Sequence, residues 1–156
     1  MRLHLLAVGR LGDCPEQELV DHFLTRFDRI GRSIKLGPTR VHEVVDRRGR
    51  GRDEEVRLLR ASIPKNATVC ALDHRGKVMC SKAFAKSIGD WRDKGTTDFA
   101  LLIGGADGLG RLICNEAQDC ISFGSMVWPH RLMRVMLAEQ LYRAATILAG
   151  SPYHRS

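Results

Sequence analysis

The chain of 156 residues has no apolar stretch near the ~20 residues that a bilayer-spanning helix needs. It has no C-x-x-C pair. Its five cysteines, at 14, 70, 80, 114 and 120, are odd in number and mostly lie inside apolar runs such as Val69-Cys70-Ala71. That pattern argues against a disulfide framework or a structural zinc site, and for buried reduced thiols. No two histidines have metal-ligand spacing on a helix, and no G-x-S-x-G elbow or Cys-His signature occurs. G-x-G-x-x-G and G-K-[ST] are also missing, which argues against a dinucleotide site and a phosphate-loop NTPase. The amino terminus, Met1 to Gly9, is apolar but short and has no signal-peptide cleavage pattern. It reads as a core strand, and the protein as cytosolic.

Acidic residues are the scarcer sign of charge: 18 Asp and Glu against 25 Lys and Arg leave +7. The excess is uneven. Residues 1–33 balance five Arg against five acids, whereas residues 129–156 carry four Arg against one Glu. Arg47-Arg48-Gly49-Arg50-Gly51-Arg52 sets four guanidiniums in six residues. Nucleic acid is the partner such a balance favours, because phosphate neutralisation dominates that kind of affinity. A basic, soluble surface is the alternative reading.

Strand and helix signals alternate. Strands are expected at Leu3 to Val8, Val41 to Val45, Thr68 to Leu72, Asp98 to Ile103, and near Ile121 or Val127. Helices are expected at Pro15 to Ile30, Asp53 to Ile63, Ser81 to Lys94, Arg111 to Ala117 and Arg131 to Ala149. Proline opens the first and Gly150 closes the last. Leu19, Phe23, Phe27 and Ile30 are expected on one face of the first helix. This alternation is that of a single α/β domain, residues 1–156, with a mostly parallel sheet and helices on both faces. The pattern by itself suggests a simple doubly wound topology. The last helix carries two apolar stripes, Met133-Leu137-Leu141-Ala144-Leu148 and Leu132-Val135-Tyr142-Ala145-Ala149. A second subunit or the interior of the monomer must cover the second stripe; dimerisation is the favoured reading.

Three segments carry the chemistry. In Leu101-Leu102-Ile103-Gly104-Gly105-Ala106-Asp107-Gly108-Leu109-Gly110 an apolar strand runs into a glycine-rich loop before a helix. Ligands on open α/β sheets bind at such strand ends. Gly124-Ser125-Met126-Val127-Trp128-Pro129-His130 offers backbone groups and apolar walls to a flat heterocycle. The tail Ser151-Pro152-Tyr153-His154-Arg155 groups a turn former, a ring, an imidazole and a guanidinium after the longest helix. Either it plugs a surface groove or it acts in catalysis. His130 and His154 are the histidines best placed for chemistry; His4, His22, His42 and His74 lack evident partners.

Leu101 to Ser156 resembles the RlmH family, small SPOUT-class methyltransferases that modify N3 of a pseudouridine in 23S rRNA. The matching pieces are Leu101-Leu102-Ile103-Gly104-Gly105, Asp107-Gly108, Pro129-His130, Arg134-Val135, Ala138-Glu139-Gln140-Leu141-Tyr142-Arg143-Ala144 and Pro152-Tyr153-His154-Arg155. Ala7-Val8-Gly9, Ala71-Leu72-Asp73 and Gly76-Lys77 extend the match, while residues 31–66 match poorly. Ala106-Asp107 stands where the family commonly has Pro-Glu, and the Arg-Gly loop is richer in Arg than the family pattern.

The resemblance implies a C-terminal trefoil knot in place of the simple doubly wound topology. It implies S-adenosylmethionine as methyl donor, a homodimer, and the assembled ribosome as substrate; that donor brings its own electrophile, so no metal is expected, and without a spanning stretch no membrane partner is expected. By correspondence, Leu72, Gly105, Gly124, Ser125, Met126, Val127, Trp128 and Pro129 should contact the donor. His154 or Tyr153 should contact the target base. His154 is the favoured proton acceptor, because imidazole titrates near neutrality. Arg155 should hold phosphate or the developing anion, and Arg134 and Glu139 should organise the site beneath.

Overall fold

The computed structural model describes residues 1–153. Among these residues five strands and five α-helices alternate. They are β1 (Arg2–Val8), α1 (Pro15–Gly31), β2 (Thr39–Val44), α2 (Arg52–Ser62), β3 (Thr68–Val78), α3 (Ser81–Asp93), β4 (Asp98–Ile103), α4 (Gly110–Glu116), β5 (Asp119–Ser122) and α5 (His130–Leu148). A short 3-10 turn, Arg32–Ile34, follows α1. All pairings are parallel, in the order β2-β1-β4-β3-β5. The expected class, a parallel α/β sheet, is therefore present. Of the two candidates for the last strand, the segment around Ile121 forms it and Val127 lies in the following loop.

Period-two alternation sorts the strand residues onto two faces. Leu3, Leu5, Phe99, Leu101, Cys70 and Leu72 point into a core built with α1, α3 and α5. Leu6, Val8, Ala71, Ala100 and Leu102 point the other way, against Leu59 of α2 and Leu109 and Ile113 beside α4. Every residue of β4 is buried, as a strand covered on both faces requires.

Three expectations shift. On α1 the buried stripe is Val20, Leu24, Phe27 and Gly31, and Leu19 is 46% exposed. The stripe follows 3.6-residue spacing, which turns Leu19 to the rim. On α5, Tyr142 and Ala145 of the second stripe are buried within the chain, between α1 and α3. The Tyr142 ring lies 6.2 Å from Phe23. Leu132 stays exposed. Among the cysteines only Cys70 is fully buried, and Cys80 is exposed. Among the described residues no helix is long and apolar enough to cross a membrane.

β3 runs further than its apolar segment. Ile121 of β5 pairs with Leu72 and again with Lys77, so residues 73–76 form an excursion out of the ladder. Gly76 closes it. A Cβ there would stand 2.5 to 2.7 Å from the backbone C, N and O of Ile121. No rotamer relieves a clash with backbone.

At the amino ends of the strands a polar cluster ties three of them together. Asp98 accepts from Arg2 at 2.8 and 2.7 Å and pairs with His4 Nε2 at 2.7 Å; His4 Nδ1 lies 3.2 Å from His42 Nε2. Buried His4 thus has partners 94 and 38 residues away, which its sequence surroundings do not reveal. The Arg2 guanidinium, then His4, hold the Asp98 carboxyl at about 2 against an ordinary 3.8.

Gly76→Ala should cost at least ~1–3 kcal/mol in urea unfolding, or prevent soluble folding. A variant as stable as the wild type would contradict this packing. For Asp98 the folded pKa lies below the unfolded one. Its stabilisation is complete above the unfolded value and disappears as pH falls toward the folded one. Asp98→Asn should therefore flatten the acid limb of stability between roughly pH 4 and 2. An identical limb in both proteins would rule the contribution out.

Candidate active site

A cleft of about 290 Å³ opens at the carboxyl ends of β3, β4 and β5. Three chain segments meet there. The first is Leu72 to Arg75, where β3 leaves the ladder. The second is Ile103 to Gly108, after β4. The third is Phe123 to Trp128, after β5, with His130 and Met133 of α5 beside it. Strand ends in a parallel sheet leave backbone groups free, and glycine lets a ligand approach them.

The loop after β4 is folded on itself. A Cβ on Gly104 would stand 2.5 Å from the carbonyl carbon of Gly108 and 2.7 Å from the Leu109 nitrogen. Gly108 N–H donates to the Gly105 carbonyl at 3.1 Å, and Gly108 has φ +69°. Beneath Gly105 lies the Glu55 carboxylate, 2.8 Å from where a Cβ would sit. Burial, with Asp107 and Asp46 nearby, raises the Glu55 pKa. On the opposite wall Met126, Val127 and Trp128 are 66%, 83% and 37% exposed. Three consecutive exposed apolar side chains cost solvation until a ligand or another surface covers them.

Asp73 is buried in the cleft wall and fully engaged. It accepts from Arg75 Nε at 2.7 Å, Nη2 at 2.8 Å and the Arg75 amide at 3.0 Å. Those bonds hold its carboxyl below the usual carboxylate range. His130, which lines the cleft, has its pKa pushed down by burial and then by Arg134 and Arg131, which favours the neutral imidazole. Burial pushes the Cys114 thiol up to about 12, away from nucleophilic use.

The residues expected to contact a donor are brought together: Leu72, Gly105, Gly124, Met126, Val127 and Trp128 all line this cleft. Ser125 and Pro129 belong to the same segment without lining it. Glycine backbone on one side and apolar walls on the other suit a flat heterocycle with a polar tail.

The residues expected to act on the acceptor are placed elsewhere. Arg134 is a clamp. Its Nη2 donates to the Val8 and Gly9 carbonyls at 2.5 and 2.8 Å, and its Nη1 to Glu43 at 2.7 Å. Glu43 also accepts the Leu11 amide at 3.0 Å. Arg134 is 2% exposed and joins α5 to the ends of β1 and β2. Glu139 accepts from Arg143 at 2.6 and 2.9 Å, from Gln140 at 2.7 Å and from the Tyr153 hydroxyl at 3.3 Å. The Tyr153 ring packs 4.6 Å from Tyr142. This cluster borders a second hollow of about 690 Å³, whose apolar wall includes Val78, Met79, Phe123, Val135 and Met136. Ser122, Phe123 and Gly124 line both hollows. His154 and Arg155 lie outside the described residues.

Asp73, Arg75, Arg52 and Asp107 line the cleft without having been singled out as site residues. The signal available for them was position: each lies within three residues of a glycine in a strand-end or pre-helix loop.

A family model described as "Predicted SPOUT methyltransferase" matches residues 1–154. The chain is 59% identical over 155 residues to a Ribosomal RNA large subunit methyltransferase H of Ruegeria pomeroyi, covering 99% of each. It is 57% identical to the protein of the same name from Dinoroseobacter shibae, again over 99% of each. With that of Roseobacter denitrificans it shares 55% over 156 residues, the whole of both. A probable methylase family protein from Haemophilus influenzae Rd KW20 overlays with TM-score 0.49 and 9% identity, covering 99% of this chain and 70% of that one. That likeness is too distant to carry weight.

Arg134→Met should lower stability by about 3 kcal/mol, since it strands Glu43 and two strand-end carbonyls. Urea unfolding checks this. Wild-type stability in the variant would mean that the clamp contributes nothing.

Proposed function

The chain belongs to the SPOUT methyltransferase family, and we propose that it methylates N3 of a pseudouridine in 23S rRNA of the large ribosomal subunit. The supporting observation is end-to-end similarity to proteins whose shared name is large-subunit rRNA methyltransferase. We further propose that it acts in the cytoplasm on the assembled ribosome, as one domain over residues 1–156.

S-adenosylmethionine, when bound, supplies an electrophilic methyl group on a sulfonium. The strand-end cleft would hold it through Leu72, Gly105 and the segment Gly124, Ser125, Met126, Val127, Trp128 and Pro129. The chain must then align the acceptor, take the imide proton and stabilise charge on the base's carbonyl oxygens. We assign the acceptor side to Tyr153, His154 and Arg155. His154 takes the proton, Tyr153 stacks, and Arg155 holds phosphate or the developing anion. Glu139 positions Tyr153 through the hydroxyl contact at 3.3 Å. Arg134 supports the site from beneath by holding the β1 and β2 ends.

In one chain Glu139, which holds Tyr153, lines the second hollow, and neither residue lines the donor cleft. A homodimer in which one chain's tail serves its partner's cleft would unite them. The apolar wall of that hollow, with Val78 66% exposed, supports such an interface. Insertion of β4 between β1 and β3, and the excursion at residues 73–76, support the trefoil crossing expected of the family.

Incubation with ribosomes and labelled S-adenosylmethionine, followed by nucleotide mapping, should yield one methyl group at a pseudouridine N3. Deleting residues 152–156 should abolish transfer and leave the circular dichroism spectrum unchanged. Full activity in the truncated protein would overturn the role given to the tail.

A further inference from the structure

We propose that the Arg47–Arg52 loop is an arm that grips the RNA phosphodiester backbone at the mouth of the donor cleft. This rests on the rRNA methyltransferase reading and adds a binding surface to it. The loop is built to hold its guanidiniums outward. Asp46 lies at its base and accepts the Arg48 amide at Oδ1 and the Gly51 amide at Oδ2, both at 3.0 Å. Gly49 and Gly51, at φ +61° and +83°, let the chain wrap around that carboxylate. Arg47, Arg48, Arg50 and Arg52 are all exposed.

Their charge is only loosely paired, and a comparison within the same region shows it. Along α2, Arg57 is held by Glu54 at 2.7 and 2.8 Å, and Arg60 by Glu116 at 2.5 Å. In the loop the nearest approaches are Arg50 to Glu54 at 3.7 Å and Arg52 to Asp53 at 3.9 Å, too long for hydrogen bonds. Arg47 and Arg48 have no carboxylate partner among the described residues. Four exposed, hydrated guanidiniums on a short loop match a run of phosphates.

The loop also lies beside the site. Arg50, Arg52, Asp53 and Asp107 line one shallow hollow, and Arg52 and Asp107 line the donor cleft as well. A strand gripped at Arg47, Arg48 and Arg50 therefore passes the cleft mouth. Asp107 and Asp53 would repel phosphate from that hollow, which favours a backbone path along Arg47, Arg48 and Arg50.

The test replaces Arg47, Arg48 and Arg50 with Ala and leaves Arg52, a cleft residue, intact. Binding is measured against salt concentration with 70S ribosomes and with protein-free large-subunit rRNA. The slope of log affinity on log salt should fall by about 2 to 3 on both, at ~0.7–0.9 per phosphate contact. KM for ribosomes should rise while kcat at saturation, the dissociation constant for S-adenosylmethionine and the melting midpoint stay at wild-type values. An unchanged slope on both substrates overturns the proposal. So does a slope that falls on ribosomes and not on bare rRNA, which would assign the loop to an acidic ribosomal protein. Wild-type methyl transfer is assayed first. Failure of the methyltransferase reading shows there as missing product, whereas failure of the arm shows only in the substituted protein.

Discussion

The approach of Gly76 to Ile121 is the constraint on which the site depends. β3 reaches β5, leaves it for four residues and returns to the same partner, Ile121. That return is possible only where a backbone can lie flush on a backbone, and a side chain would collide with three atoms of Ile121. The excursion it closes carries Asp73 and Arg75 into the cleft wall. It also ends β3 at Val78, beside the second hollow. Both hollows are thus set by one close contact between neighbouring strands.

Polar side chains are divided between the two ends of the sheet. At the amino ends Arg2, His4 and Asp98 satisfy one another and fasten β1 to β4. At the carboxyl ends Arg134 and Glu43 fasten β1 and β2 to α5. Neither cluster occupies the cleft. The cleft is lined by glycine backbone, apolar walls, the engaged Asp73–Arg75 pair, and Arg52, Asp107 and His130. Such a surface suits a ligand that brings its own electrophile. The protein's share of the work is then alignment and proton handling.

Much of this was legible in sequence. Apolar runs bounded by glycine and proline located the five helices and most strand bounds within a few residues; the last strand was left between Ile121 and Val127, and β3 runs six residues past its expected end. Strand-end logic singled out the loop after β4, and glycine with apolar side chains marked the segment after β5; these are two of the three segments that meet in the cleft. What escaped has physical reasons. Asp73-His74-Arg75-Gly76-Lys77 is polar and reads as a turn, so the continuation of β3 was hidden; only the ladder with β5 reveals it. Leu19 counted as core because it is apolar, but the 3.6-residue stripe passes through Val20 and Leu24. The partners of Arg134 were hidden too, because Val8 and Glu43 lie 126 and 91 positions away. The second stripe of α5 finds much of its cover inside the monomer, between α1 and α3. Periodicity reports that a face is buried and not by what.

The central claim is that the strand-end cleft holds the methyl donor. Titration of isotope-labelled protein with S-adenosylmethionine, followed by backbone amide shifts, tests it most directly. The account predicts saturable shifts concentrated at Leu72, at Gly104 to Gly108 and at Gly124 to Trp128. Saturable binding with shifts elsewhere, or no binding at all, would contradict it.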